Sequence, residues 1–281
     1  MTNRTMRVLA ILLMTTSRVV AASPAGNSSP AGMTMKSGYA DADGLKVYYE
    51  VQGTGEPLVL LHGSFMTIDA TWGTLRPTLS KSRQVVAIEL QGHGHTADRE
   101  RPMRYEGMAD DVAAVLRRVG IGRADVLGYS MGGTVAAGVA LRHPGLVRKL
   151  VVVSAVFDNS GWEPQVYEQF KALPKDFAPK PLTDAYEKVA PDPKRWPLLV
   201  AKVKTMLTEF EGWKRKDLEG MKAVLLIVMG DRDGFRAEHA LEIKRLVPNG
   251  QLALIPGGDH FFLWSRADLL LPMIAGFLDA Q

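Results

Sequence analysis

Apolar residues along the chain fall into short runs, and between the runs they recur at helical spacing. Residues 58–61, 85–88, 124–127, 149–153, 223–229 and 252–255 are brief stretches rich in Val, Leu and Ile. Runs of this length suit the strands of a parallel sheet covered on both faces. Ahead of them, Asp43-Gly44 is a turn signal between Tyr39 and the β-rich residues 45–51, which predicts a hairpin. Residues 108–119 place Val112, Val115, Leu116 and Val119 on one stripe, with Gly120 as a stop signal. Residues 131–141 are small and apolar all round, the pattern of a buried helix, and 237–246 and 269–278 also read as helices. Strands alternating with helices at crossover lengths predict an α/β protein with a mostly parallel, doubly wound sheet. In such sheets function gathers at the carboxyl ends of the strands. Residues 156–218 break the rhythm. They show no strand pattern, hold several prolines and carry Trp162, Tyr167, Phe170 and Trp196, which predicts a mainly helical insertion over the sheet edge.

Composition and charge change this picture mostly at the N-terminus. Arg4 and Arg7 precede an apolar run over residues 8–14, and Val20-Ala21-Ala22 offers small residues for cleavage. Residues 1–22 therefore read as a secretory signal peptide, with a periplasmic or secreted product; without that leader the expected location is cytoplasmic. The run is too short for a stable membrane span. Residues 23–37, rich in Ser, Pro, Ala and Gly, read as a flexible linker. The expected organisation is a core from 38–155 and 219–281, with 156–218 as a lid. Three of the arginines behind the net charge of +4 lie in the leader, and no basic stripe interleaved with aromatics follows, so no nucleic-acid partner is expected. The absence of cysteine excludes disulfide scaffolds, thiolate zinc sites and cysteine nucleophiles.

The chemistry starts where the 124–127 run ends, in Gly128-Tyr129-Ser130-Met131-Gly132. A tight strand-to-helix turn forces its central residue into strained backbone angles, and glycines two before and two after leave room for the close approach. The serine oxygen then projects above the sheet at a helix N-terminus, where N–H groups favour a developing anion. A serine hydroxyl needs a positioned base. Of six histidines, His143 precedes a proline, His239 lies within a predicted helix, and His62, His93 and His95 sit in loops after earlier strands. His260 alone follows the last predicted strand and a Gly-Gly turn. His93 and His95 lack a third ligand at useful spacing for a metal.

Four motifs in order, Leu61-His62-Gly63-Ser64, Gln91-Gly92-His93-Gly94-His95, Gly128-Tyr129-Ser130-Met131-Gly132 and Gly257-Gly258-Asp259-His260-Phe261, make the chain resemble the α/β-hydrolase superfamily from about Tyr39 to the C-terminus. The chain departs from the pattern at Glu89, where relatives often carry Asp. The resemblance implies Ser130 as nucleophile, His260 as base and Asp233 as the orienting acid, with Asp158 as an alternative acid taken from after the preceding strand. Asp231 and Asp259 read as turn residues. It also implies an oxyanion hole from the N–H groups of Met131 and Ser64, with Phe65 next in line; losing one such donor typically costs about 3 kcal/mol in barrier. His62 reads as a loop brace. Phe65, Met66, Tyr129 and Trp264 are the expected pocket residues. Serine at 130, rather than aspartate, argues against the dehalogenases and epoxide hydrolases of the superfamily. The expected activity is that of a serine hydrolase cleaving a small to medium ester-like substrate through an acyl-enzyme, with no cofactor and a small molecule as its partner. A carbon–carbon bond hydrolase, a cofactor-free peroxidase, an amidase or a non-catalytic ligand-binding module on the same fold stay open.

Overall fold

The computed structural model describes residues 34–280. The expected leader and most of the expected linker lie outside the described residues. Eight strands form one sheet: β1 (Lys36–Ala42), β2 (Leu45–Gln52), β3 (Glu56–Leu61), β4 (Arg83–Ile88), β5 (Ala124–Tyr129), β6 (Val147–Val153), β7 (Val224–Gly230) and β8 (Gly250–Ile255). Their order across the sheet is β1-β2-β4-β3-β5-β6-β7-β8. The first two are the expected hairpin, and β2 runs antiparallel to β4; every later pairing is parallel. Asp43 and Gly44 both take positive φ, 52° and 81°, as a two-residue hairpin turn of the right twist requires. Strand β1 begins at Lys36, so the last two residues assigned to the linker are sheet.

Alternate residues of the parallel strands go to opposite faces. Val59, Leu61, Val86 and Ile88 join one buried cluster, while Leu58, Leu60, Val85 and Ala87 join the other. That division is why these runs are continuously apolar. On the first face lie α3 (Tyr105–Arg118) and α4 (Met131–Arg142); α4 is buried from Met131 to Ala140, as its composition predicts. The second face carries α1 (Ile68–Trp72), α2 (Arg76–Leu79), α10 (Phe262–Ser265) and α11 (Ala267–Asp279), and α9 (Ala237–Leu246) packs against β7 and β8. Helix α3 starts three residues before the position the apolar stripe predicts. Its N-cap Arg104 makes no side-chain capping bond, so the sequence carries no start signal there. Helices α1, α2 and α10 have 5, 4 and 4 residues, too few to display a 3.6-residue period.

Between β6 and β7 the chain forms α5 (Pro164–Lys171), α6 (Lys180–Glu187), α7 (Trp196–Glu209) and α8 (Arg215–Glu219), with 3₁₀ turns before α5 and α7. Two sets of bonds fasten this insertion over the carboxyl ends of the strands. At its start, Trp162 forms an antiparallel bridge with Phe235, the Glu163 N–H donates to Gly234 O at 2.9 Å, and the Arg236 N–H donates to Gly161 O at 2.8 Å. On the opposite side, Lys202 of α7 donates to Asp98 Oδ2 at 2.7 Å, Arg99 O at 2.7 Å and Arg101 O at 3.0 Å. Among the described residues no helix is long and apolar enough to cross a membrane.

Candidate active site

Strand β5 ends at Tyr129, and Ser130 turns the chain into α4 with φ 53° and ψ −124°. A non-glycine residue in that region costs on the order of 1–3 kcal/mol and persists only where its surroundings fix it. Here the fixing bonds are the Ser130 N–H to Val153 O at 2.9 Å and the Gly133 N–H to Ser130 O at 2.8 Å. The flanking glycines have no alternative. A Cβ at Gly128 would run into the Gly132 carbonyl, and one at Gly132 would stand 2.5 Å from His62 O. The same contact shows that the first turn of α4 presses against the segment following β3.

Aspartate and histidine follow the last two strands in the sheet order, β7 and β8. The ends of β7 and β8 come together at Gly230 and Gly258, where a Cβ on Gly230 would overlap the Gly258 backbone. This approach places Asp233 and His260 side by side. His260 Nδ1 lies 2.9 Å from Asp233 Oδ1, and His260 Nε2 lies 3.1 Å from Ser130 Oγ. With Nδ1–H donating to the carboxylate, Nε2 of a neutral ring is left to accept the serine hydroxyl. The Asp233 carboxylate is buried, and its Oδ1 also accepts the Gly234 N–H at 2.7 Å. Tyr129 holds His260 from below by donating its hydroxyl to His260 O at 2.8 Å. Burial pushes the Tyr129 phenol well above its ordinary range, with Asp233 and Asp259 adding to the shift, so this donor keeps its proton. Phe235 packs nearly perpendicular to the imidazole, at a centroid distance of 5.2 Å.

The other expected site residues divide. Met131 is the first residue of α4, whose opening N–H groups have no intrahelical acceptor. The N–H groups of Ser64 and Phe65 donate to no backbone carbonyl among the described residues. Phe65, at φ 64°, packs against Phe177 and Trp196 of the insertion at 5.6 and 5.8 Å. Met66, Tyr129 and Trp264 belong instead to the cluster on the second face of the sheet. There Tyr129 packs beneath His260, with Trp264 beside it. Tyr129 and Met66 are buried beneath the site; Trp264 donates its indole N–H to Thr71 O at 3.0 Å and packs on Tyr129 at 5.2 Å. Tyr129 is turned away because side chains alternate along β5, and its neighbour Ser130 takes the upper side.

Of the competing groups, Asp158 caps the Ser160 N–H at 2.8 Å, Asp259 accepts the Phe261 N–H at 2.9 Å, and Asp231 is exposed. His143 bonds Asp110, and His239 accepts the Phe157 N–H at 3.1 Å. His62 braces its loop: Nδ1 bonds Gly63 O at 2.8 Å and Nε2 accepts the Leu90 N–H at 3.0 Å. Burial, reinforced by the neighbouring His93, lowers His62 to about 3, and burial lowers His93 to about 4, so both rings are neutral at ordinary pH. Two contributors had little sequence signal. Phe235 is apolar in a loop, and Phe177 stands among the charges and prolines of the insertion; only the fold brings them to His260 and Phe65. No group of three or more His, Cys, Asp or Glu side chains is arranged to hold a metal ion among the described residues.

A family model for the alpha/beta hydrolase family matches residues 58–272, which hold every one of these groups. The chain belongs to that family. It is 36% identical over 118 residues to 2-hydroxymuconate semialdehyde hydrolase of Pseudomonas sp. (strain CF600), a match covering 41% of each chain. It is 27% identical over 256 residues to the AB hydrolase superfamily protein YisY of Bacillus subtilis (strain 168), covering 82% of this chain and 94% of that one. Among solved structures, a meta-cleavage product hydrolase from Pseudomonas fluorescens IP01 superposes with a TM-score of 0.72 at 20% identity, covering 87% of this chain and 97% of the other; at that identity the likeness concerns the fold. The matches to the first two curated relatives span only about two fifths of those proteins' length.

Proposed function

We propose that this member of the family is a serine hydrolase that cleaves an ester bond in a small to medium, uncharged substrate. The observation that carries the reading is the unbroken chain from Asp233 Oδ1 through both ring nitrogens of His260 to Ser130 Oγ. In the proposed reaction Ser130 Oγ adds to the ester carbonyl while its proton passes to His260 Nε2. Asp233 holds the ring and stabilises the imidazolium. The carbonyl oxygen becomes an anion, which in this reading the N–H groups of Met131 and Ser64 receive. Collapse expels the alcohol, which takes the proton from His260. Water then repeats the cycle against the acyl-serine, releases the acid and restores the serine.

The apolar surroundings favour an uncharged substrate. Phe65, Phe177 and Trp196 pack together beside the oxyanion segment, and Phe235 and Trp162 pack beside His260. Three cations of the neighbouring loop and insertion are already bound: Arg101 pairs with Asp111, and Lys202 and Arg195 pair with Asp98. A buried carboxylate on a substrate would need such a partner. The names of the relatives, which concern a semialdehyde and a meta-cleavage product, favour a second reading, hydrolysis of a carbon–carbon bond by the same three groups.

Assay of purified protein against p-nitrophenyl butyrate and against a 2-hydroxy-6-oxo-dienoate separates the two. The ester reading expects turnover of the first, loss of that turnover in Ser130→Ala, and little action on the second. A strong preference for the dienoate would reverse the assignment. We further propose export directed by residues 1–22. Expression of the full chain should yield a product whose N-terminus lies near residue 23; an intact Met1 in the cytoplasm would refute this.

A further inference from the structure

Residues 62–68, which join β3 to α1, contain Ser64 and the proposed oxyanion donor. The segment is tied at both ends to one place, the start of the loop after β4. At its beginning, His62 Nε2 accepts the Leu90 N–H at 3.0 Å. At its end, the Ile68 N–H donates to Glu89 Oε1 at 3.2 Å. The other oxygen of Glu89 accepts the His95 N–H at 2.5 Å and contacts His95 Nδ1 at 2.8 Å. The carboxylate is therefore met by three donors, and its side chain is only 2% exposed. Gly94 exists to admit it: a Cβ there would collide with the carboxyl group, and φ at Gly94 is 52°. A lone carboxylate buried at a loop junction is costly unless every lone pair it presents is used. Nothing in the proposed proton transfer uses Glu89.

The geometry points to Glu89 as a positioning residue that, through Ile68, fixes the segment carrying the Ser64 N–H for the anionic oxygen of the reaction. This rests on the serine-hydrolase reading above. Length as well as charge matters, because an aspartate is shorter by one methylene, about 1.5 Å, and cannot span from Ile68 to His95. His95 is the counter-group. Its hydrogen bond to Glu89 raises its pKa against the effect of burial, and the ring stacks on Tyr48 at 4.1 Å. Around it, Tyr48 bonds Glu50 at 3.0 Å, Glu50 pairs with Arg76, and Arg76 reaches Asp69 at 3.1 Å.

The test compares kcat, KM and the inhibition constant of an aryl boronic acid, which forms a tetrahedral adduct on a reactive serine. Glu89→Gln is expected to lower kcat and weaken boronate binding in parallel, on the order of 10- to 100-fold, with KM changed by less than about threefold. Glu89→Asp is expected to share the defect although it keeps the charge. A second pair separates positioning from packing should Glu89→Gln fold poorly. Ile68 is the first residue of α1 and follows Thr67 in extended backbone, so proline fits there while removing the N–H that Glu89 accepts. Ile68→Ala removes a comparable side chain and keeps the N–H. Ile68→Pro is expected to fall at least about tenfold below Ile68→Ala in kcat and in boronate affinity. Equal values for the two, or a Glu89→Gln enzyme with wild-type kcat and boronate affinity, would overturn the proposal while leaving the serine reading intact. A wild-type protein that neither turns over ester nor binds boronate would overturn both.

Discussion

Ser130 stands in a backbone conformation that a serine pays for in strain and that two glycines make room for. On the proposed mechanism that strain aims one hydroxyl at His260. The supports beneath the imidazole matter as much as its hydrogen-bond partners, because a small misplacement of a reacting group can cost on the order of 100-fold in rate. Tyr129→Phe removes the hydroxyl that holds His260 O and leaves a part-buried carbonyl without that partner. Steady-state kinetics should show kcat reduced on the order of 10-fold, KM within about twofold, and unfolding free energy lower by about 1–3 kcal/mol; unchanged kcat would remove Tyr129 from the account. At this scale the sequence was informative wherever a residue's job is set by its own neighbours. Ser130 announces itself by flanking glycines, and His260 by following the last strand. Asp233 depended on resemblance, since Asp231 lies two residues away in the same turn. The packing of Met66, Tyr129 and Trp264 on the second face was not legible, because nearness in sequence to a site does not fix which face of the sheet a side chain takes.

The elements that carry these residues were legible in proportion to their length. Parallel strands buried on both sides leave continuous apolar runs, and α4 declares its burial by being small and apolar throughout. Helices α1, α2 and α10 left no period to read, yet α1 anchors the segment that holds Ser64. The insertion was recognisable as helical, but its attachments were not, because they join residues far apart in the chain. Lys202 reaches Asp98 and two loop carbonyls across 104, 103 and 101 residues. Lys202→Met should therefore loosen α7 and the aromatic wall around Phe65 without touching the reacting groups. Thermal melts should show a loss of about 1.5–3 kcal/mol, the range for a charged hydrogen bond, and kinetics should show KM rising more than kcat falls. An unchanged KM with full stability would mean that this tie does not hold the insertion in place.

For the whole molecule, burial of titratable groups sets how stability responds to acid. His62 and His93 have native pKa values of about 3 and 4 against 6.5 in the unfolded chain. Below pH 6.5 the unfolded state therefore binds protons that the native state refuses, and stability falls as pH falls, by about 1.4 kcal/mol per pH unit for each histidine. Asp111, raised to about 6 by burial against the pull of Arg101, acts in the opposite sense between 3.8 and 6, because there the native state holds the extra proton. His239, lowered by burial, acts with His62 and His93, while His95, raised by its hydrogen bond to Glu89, acts with Asp111; the two strongly shifted rings leave a net loss. Denaturant unfolding at pH 7 and pH 5 should show the protein less stable at pH 5, and His93→Gln should reduce the difference. Equal stability at the two values would contradict the neutral, buried state of these rings.

The central claim is that the three groups gathered from the ends of β5, β7 and β8 make Ser130 a nucleophile. Treatment with an alkyl fluorophosphonate followed by intact-mass and peptide analysis tests it most directly. The account predicts one adduct per chain, located on Ser130, formed by the wild type and lost in His260→Ala. A wild-type protein that stays unlabelled, or carries the adduct on another residue, would contradict it.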